Sequence, residues 1–197
     1  MESLFGFILA GIAMVASPGP ATLSIAATSA AFGPHRGFNY MAGAALGLCV
    51  VMGIVASGLT GALAALPGVA SFVTGLAICY IAYLAVRIAS APPLAENAGQ
   101  GRAPSFLGGV FLSLANPKAY AVMAALFSGF TLTGLAGFDA ALKAGVLAVI
   151  TFLADFAWLL AGAALTRCFR RPRANRAINI GFSLLLVVSV LLALFVK

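Results

Sequence analysis

The chain reads as an all-α integral membrane protein of six transmembrane helices, arranged as two inverted three-helix repeats with helices 1 and 4 broken at proline motifs. Three observations predict this. The 197 residues are 63% hydrophobic and only 8% charged, with a mean hydropathy of +1.13, whereas a soluble domain carries about 25% charged residues. Six apolar runs each supply the ~20 residues that cross a ~30 Å hydrocarbon core as a helix, not the short alternating segments of a membrane barrel. Two of those runs, half the chain apart, carry proline at mid-segment.

The runs are Leu4 to Ala31, Phe38 to Thr60, Val69 to Ile88, Phe106 to Phe130, Ala140 to Leu165, and Ile178 to Val196. "FGPHRG" joins the first two and "ALPG" lies between the second and third. "SAPPLAENAGQGRAPS", Ser90 to Ser105, has the composition of a flexible loop. One transmembrane domain is therefore expected over 1–197, as a first repeat at 1–89, a cytoplasmic linker at 90–105 and a second repeat at 106–197. No basic stretch precedes the first run, and the run continues past any cleavage point, so it reads as a span and not a removed leader.

Lysine and arginine set the orientation. Connections 1–2, 3–4 and 5–6 hold eight: Arg36, Arg87, Arg102, Arg167, Arg170, Arg171, Arg173 and Arg176. The opposite side holds Lys143 and Lys197. The positive-inside rule puts the first set in the cytoplasm and both termini outside. The cluster "RCFRRPRANR" is thus an orientation signal, and the net charge of +7 does not point to nucleic acid. Cys49, Cys79 and Cys168 show no metal or redox spacing and read as small buried hydrophobes.

The two halves match in placement. "VASPGPA" and "SLANPKA" each contain Ala-(Ser/Asn)-Pro, and Pro18 and Pro117 are 99 residues apart. At that offset Phe7 falls on Phe106, and Phe38 on Gly137. Three spans per half is an odd number, so the halves would be inverted, the pattern of secondary transporters. A proline inside a helix costs roughly 3 kcal/mol, and hydrocarbon offers no water to the freed carbonyls. Such backbone survives where it is buried in protein or lines a wet cavity. Each break also opens a half-helix N-terminus, a site suited to a carboxylate. Ser17, Thr22, Ser24, Asn116 and Tyr120 cluster at the breaks. They either bond a substrate or satisfy the interrupted backbone.

Two charges lie deep in the runs. Lys118 is 12 residues from either end of the fourth, and Asp155 is 15 residues into the fifth. Each costs at least ~2.5–3.5 kcal/mol at the bilayer centre, so the two are expected to face the interior and each other, directly or through water. At helical spacing Asp155 shares a face with Thr151, Trp158, Leu159 and Gly162. Trp158, the only tryptophan, either packs or serves the site. Gly43 and Gly47 form a G-x-x-x-G pair that suits close helix packing.

"SPGPATLSIAATSAAFGPHRGFNYMAGAALG" followed by "FLSLANPKAYAVMAALF" resembles the LysE/RhtB family of bacterial amino-acid exporters. "CYIAYLAVR", "LADFAWLLAGAAL" and "NRAINIGFSLLLVVSVLLAL" extend the likeness over nearly the whole chain. The resemblance implies proton-driven efflux of amino acids or close derivatives across a bacterial inner membrane. It carries Pro18, Gly19, Pro20, Asn116, Pro117, Lys118 and Asp155 over as site residues. With the polar neighbours, the expected substrate site is Ser17, Pro18, Gly19, Pro20, Thr22, Asn116, Pro117, Lys118 and Tyr120, with Asp155 and Lys118 coupling to protons. Many relatives have Gly-Asp where this chain reads Gly47-Leu48. One acid and one base suit neutral amino acids, threonine or homoserine types, better than cationic ones.

The expected partners are an amino acid, protons and the bilayer, with a homo-oligomer left open. No cofactor, resident metal, nucleic acid or catalytic residue is expected. An exporter of another small solute or of a metal cation is one alternative; a metal site would want clustered His, Cys or carboxylate ligands, and Asp155 stands alone. A scaffold without transport is another, and would leave the breaks and central charges as unexplained costs. An enzyme would need a deep nucleophile–base pair, and the only histidine, His35, lies in a connection.

Overall fold

Proline and glycine divide the chain into its elements. The computed structural model describes residues 2–58, 68–90, 103–168 and 172–195, and these form eight helices and no strand. They are α1 (Glu2–Val15), α2 (Pro20–Phe32), α3 (Pro34–Ala56), α4 (Val69–Ala89), α5 (Phe106–Ala115), α6 (Pro117–Gly129), α7 (Ala136–Cys168) and α8 (Pro172–Phe195). The "ALPG" connection and most of the 90–105 linker lie outside the described residues.

The first and fourth expected spans are both broken. α1 and α2 meet at 57°, and α5 and α6 at 62°. α3 and residues Ala136–Leu165 of α7 are each long and apolar enough to cross a membrane alone, and each bent pair passes as one broken span. That makes up to four spans among the described residues. α4 and α8, at 21 and 24 residues, stand where the third and sixth were expected.

Two boundaries differ from the sequence reading. The expected loop "FGPHRG" shrinks to Gly33, whose φ of +90° turns the chain in one residue. Pro34 then opens α3, since a first-turn residue needs no N–H. His35 and Arg36 therefore lie in the first turn of α3. α7 starts at Ala136 and not at Ala140.

Packing is exchanged between halves. α3 lies against α5, α7 against α2 and α1, and α4 against α8. Glycines allow the close crossings. A Cβ on Gly43 would overlap the Phe106 carbonyl, one on Gly109 the Tyr40 carbonyl, and one on Gly162 the Ala26 carbonyl. Ser113 Oγ adds a hydrogen bond to the Ala44 carbonyl (2.7 Å), and Ser183 Oγ one to the Ala85 carbonyl (2.9 Å). α2 is buried at every residue but Ala21, so this half-helix is the centre of the molecule. The outer faces carry exposed Phe5, Leu9, Leu107, Phe152 and Leu184, as a lipid-facing surface would. Cys49 and Cys79 are exposed on that surface and not buried as expected. Lipid is as apolar as a protein core, so a small apolar side chain gains nothing by turning inward.

Candidate functional site

Proline removes an N–H, and every carbonyl it strands needs another donor. Pro18 cannot reach the Met14 carbonyl, and Ser17 Oγ donates to it instead (2.7 Å). Pro20 cannot reach the Ala16 carbonyl, and Trp158 Nε1 donates to it from α7 (3.0 Å). The Ser17 carbonyl accepts from Lys118 Nζ of α6 at 2.8 Å, as does Ser17 Oγ, and the Pro18 carbonyl accepts from it at 3.3 Å. An ammonium has three protons, so all three are engaged. Gly19 leaves room for this: a Cβ there would come within 2.9 Å of Lys118 Cδ and Nζ.

The second break is closed more locally. Asn116 N–H donates to the Ser113 carbonyl that Pro117 cannot reach (3.3 Å). Asn116 Oδ1 caps α6 by accepting the Lys118 N–H (3.1 Å). At the start of α2, Thr22 Oγ1 accepts the Gly19 N–H (3.0 Å). The first-turn N–H groups of Ala21 and Thr22 have no intrahelical acceptor.

Between the breaks lies a cavity of about 50 Å³, enough for about three or four waters. Its polar wall is Gly19, Thr22, Ser113, Asn116, Lys118, Thr151 and Asp155. Met14, Val15, Leu48, Val122 and Met123, with three alanines, give the apolar remainder. Asp155 is 5% exposed and makes no hydrogen bond or ion pair among the described residues.

Of the expected site residues, Gly19, Thr22, Asn116, Lys118 and Asp155 line this one cavity. Ser17 and Pro18 border it through Lys118. Pro20 and Pro117 start the half-helices. Tyr120 lies off the cavity, packed on the apolar cluster around Met123 and Leu126. Lys118 and Asp155, expected to face each other directly or through water, line the same cavity but make no direct ion pair among the described residues, because the ammonium is held by the first break. Three contributors stand outside the expected site set, though the sequence had singled each of them out. Thr151 and Leu48 line the cavity, and Trp158 closes the break. The signal for Thr151 and Trp158 was their helical spacing from Asp155.

These features define a class: a helical membrane protein whose two broken spans flank a pocket that carries a buried carboxylate on a largely apolar wall. The LysE type translocator family model matches residues 12–195, and the chain belongs to that family. Among curated proteins it is similar to the cysteine/O-acetylserine efflux protein of Salmonella choleraesuis (strain SC-B67) and that of Salmonella typhimurium (strain LT2). Each is 29% identical over 173 residues, covering 87% of either chain. No solved structure matches significantly.

Proposed function

We propose that the protein exports small neutral amino acids or close derivatives from a bacterial cytoplasm, across the inner membrane, in exchange for protons. The substrate class spans the threonine and homoserine types as well as the cysteine and O-acetylserine named for the relatives. One observation carries the reading: two helix breaks and a buried carboxylate without a partner face the same cavity.

A neutral amino acid is a zwitterion. Its ammonium would pair with Asp155. Its carboxylate would meet the first turn of α2 and draw Lys118 from the Pro18 carbonyl, the longest of that ammonium's contacts. Protonation of Asp155 from the outer side would weaken its hold on the ammonium, and return of the protonated site would deliver the proton inward. Alternating access would come from rocking of one three-helix half, 1–89, against the inverted other, 106–197. The exchanged packing of α3 with α5 and of α7 with α2 supports that repeat. The positive-inside distribution supports outward termini.

Liposomes containing the protein and loaded with labelled cysteine or homoserine test this. Release should quicken when the outside is acidified. Release indifferent to the gradient would contradict antiport. No release of any neutral amino acid would contradict the substrate class.

A further inference from the structure

We propose that Thr151 is a second ligand of the substrate's ammonium and that the site therefore selects a free primary amine. This rests on the cavity being the amino-acid site. Its basis is an inventory of which groups in the cavity wall are already satisfied. Lys118 spends its protons on Ser17 and Pro18. Thr22 Oγ1 is engaged with Gly19, and Ser113 Oγ with the Ala44 carbonyl. Three side-chain groups remain without a partner among the described residues. They are the Asp155 carboxylate, the Thr151 hydroxyl, and the amide N–H₂ of Asn116, whose Oδ1 is taken by the Lys118 N–H.

Thr151 and Asp155 are 4% and 5% exposed and line the same cavity. They are four residues apart on α7, hence on one face, one turn from each other. A helical threonine commonly donates to the carbonyl one turn back, and Thr151 does not. A buried hydroxyl without a partner is unfavourable, and a ligand that bonds it recovers that loss. The chemistry of the two groups names the ligand. A carboxylate only accepts, and a hydroxyl offers two lone pairs. A primary ammonium brings three donors and the charge that Asp155 lacks. An N-acyl amide brings one donor and no charge, leaving Asp155 buried and uncompensated. Asn116 N–H₂ gives the opposite end a donor for the carboxylate.

The test uses the full chain in liposomes, with cysteine and homoserine and their N-acetyl derivatives as probes, and thermal unfolding without ligand. Thr151→Val should raise KM for the free amino acids about tenfold, the loss of one bond to a charged group, with kcat little changed. Its thermal midpoint should match or exceed the wild type, because an unsatisfied hydroxyl has been removed. Thr151→Ser should restore KM, and neither N-acetyl compound should be transported. A wild-type KM in Thr151→Val overturns the inference. So does a KM rise accompanied by a lowered midpoint that Thr151→Ser leaves uncorrected, which marks a packing role. Transport of the N-acetyl compounds overturns the amine selection. If the wild type moves neither free amino acid, the underlying reading fails, and this inference with it.

Discussion

Single residues from the second half close the break in the first. Lys118 and Trp158 donate to carbonyls that Pro18 and Pro20 leave stranded or displaced. Lys118 occupies the position that is Gly19 after the 99-residue offset, and the two meet face to face, the absent side chain of one admitting the long side chain of the other. Trp158→Phe keeps the ring and removes the donor. It should cost about 1–3 kcal/mol of stability, read from chemical unfolding in detergent, because the Ala16 carbonyl then lacks a partner. An unchanged midpoint would show that the carbonyl finds another donor. Leu48 lines the cavity near the acid of α7. Leu48→Asp adds a second carboxylate and should turn transport toward amino acids with a second ammonium, such as lysine, and away from neutral ones, measured by competition with labelled substrate.

At the scale of helices, the crossings depend on glycine where backbone meets backbone. Gly43→Ala, Gly109→Ala and Gly162→Ala each drive a methyl group into a facing carbonyl and should lower the thermal midpoint markedly. Gly53→Ala and Gly145→Ala meet nothing within 4 Å. Within their helices these should be neutral or stabilise by up to about 1 kcal/mol, least at Gly53 in the last turn of α3. The same melting curves would show whether the two groups behave alike, which the crossings forbid. The breaks and the Gly43–Gly47 pair were legible because proline and small residues act locally. The start of α7 was not. Asp139 falls just before the fifth apolar run and Lys143 at its edge, yet they pair at 2.5 Å. Asp139 Oδ1 also accepts from the N–H groups of Leu132 (2.6 Å) and Thr133 (2.9 Å), and Lys143 donates to the Phe127 carbonyl (2.9 Å). Polar groups that satisfy one another can be buried at a helix start, and hydropathy alone does not register that.

For the whole molecule, composition pointed to the membrane, and the offset between Pro18 and Pro117 matched the two bends. Charge depth picked out Lys118 and Asp155. What composition and periodicity lack is partner choice. The packing of α7 on α2, the use of Trp158 and the engagement of Lys118 by the first break all join residues about 100 or more positions apart. Orientation is open to direct test. In a background without cysteine, His35→Cys, exposed at the start of α3, should react with an impermeant maleimide only from the cytoplasmic side. Labelling from outside would invert the whole arrangement and with it the direction of transport. The chamber between the breaks is the claim on which the account turns, and ligand-induced stabilisation of the purified protein tests it most directly. At a hundredfold excess over Kd, a true ligand adds about 2.7 kcal/mol of apparent stability. Cysteine or homoserine should raise the midpoint of the wild type and leave Asp155→Asn unmoved; an equal rise in both proteins would place the binding site elsewhere.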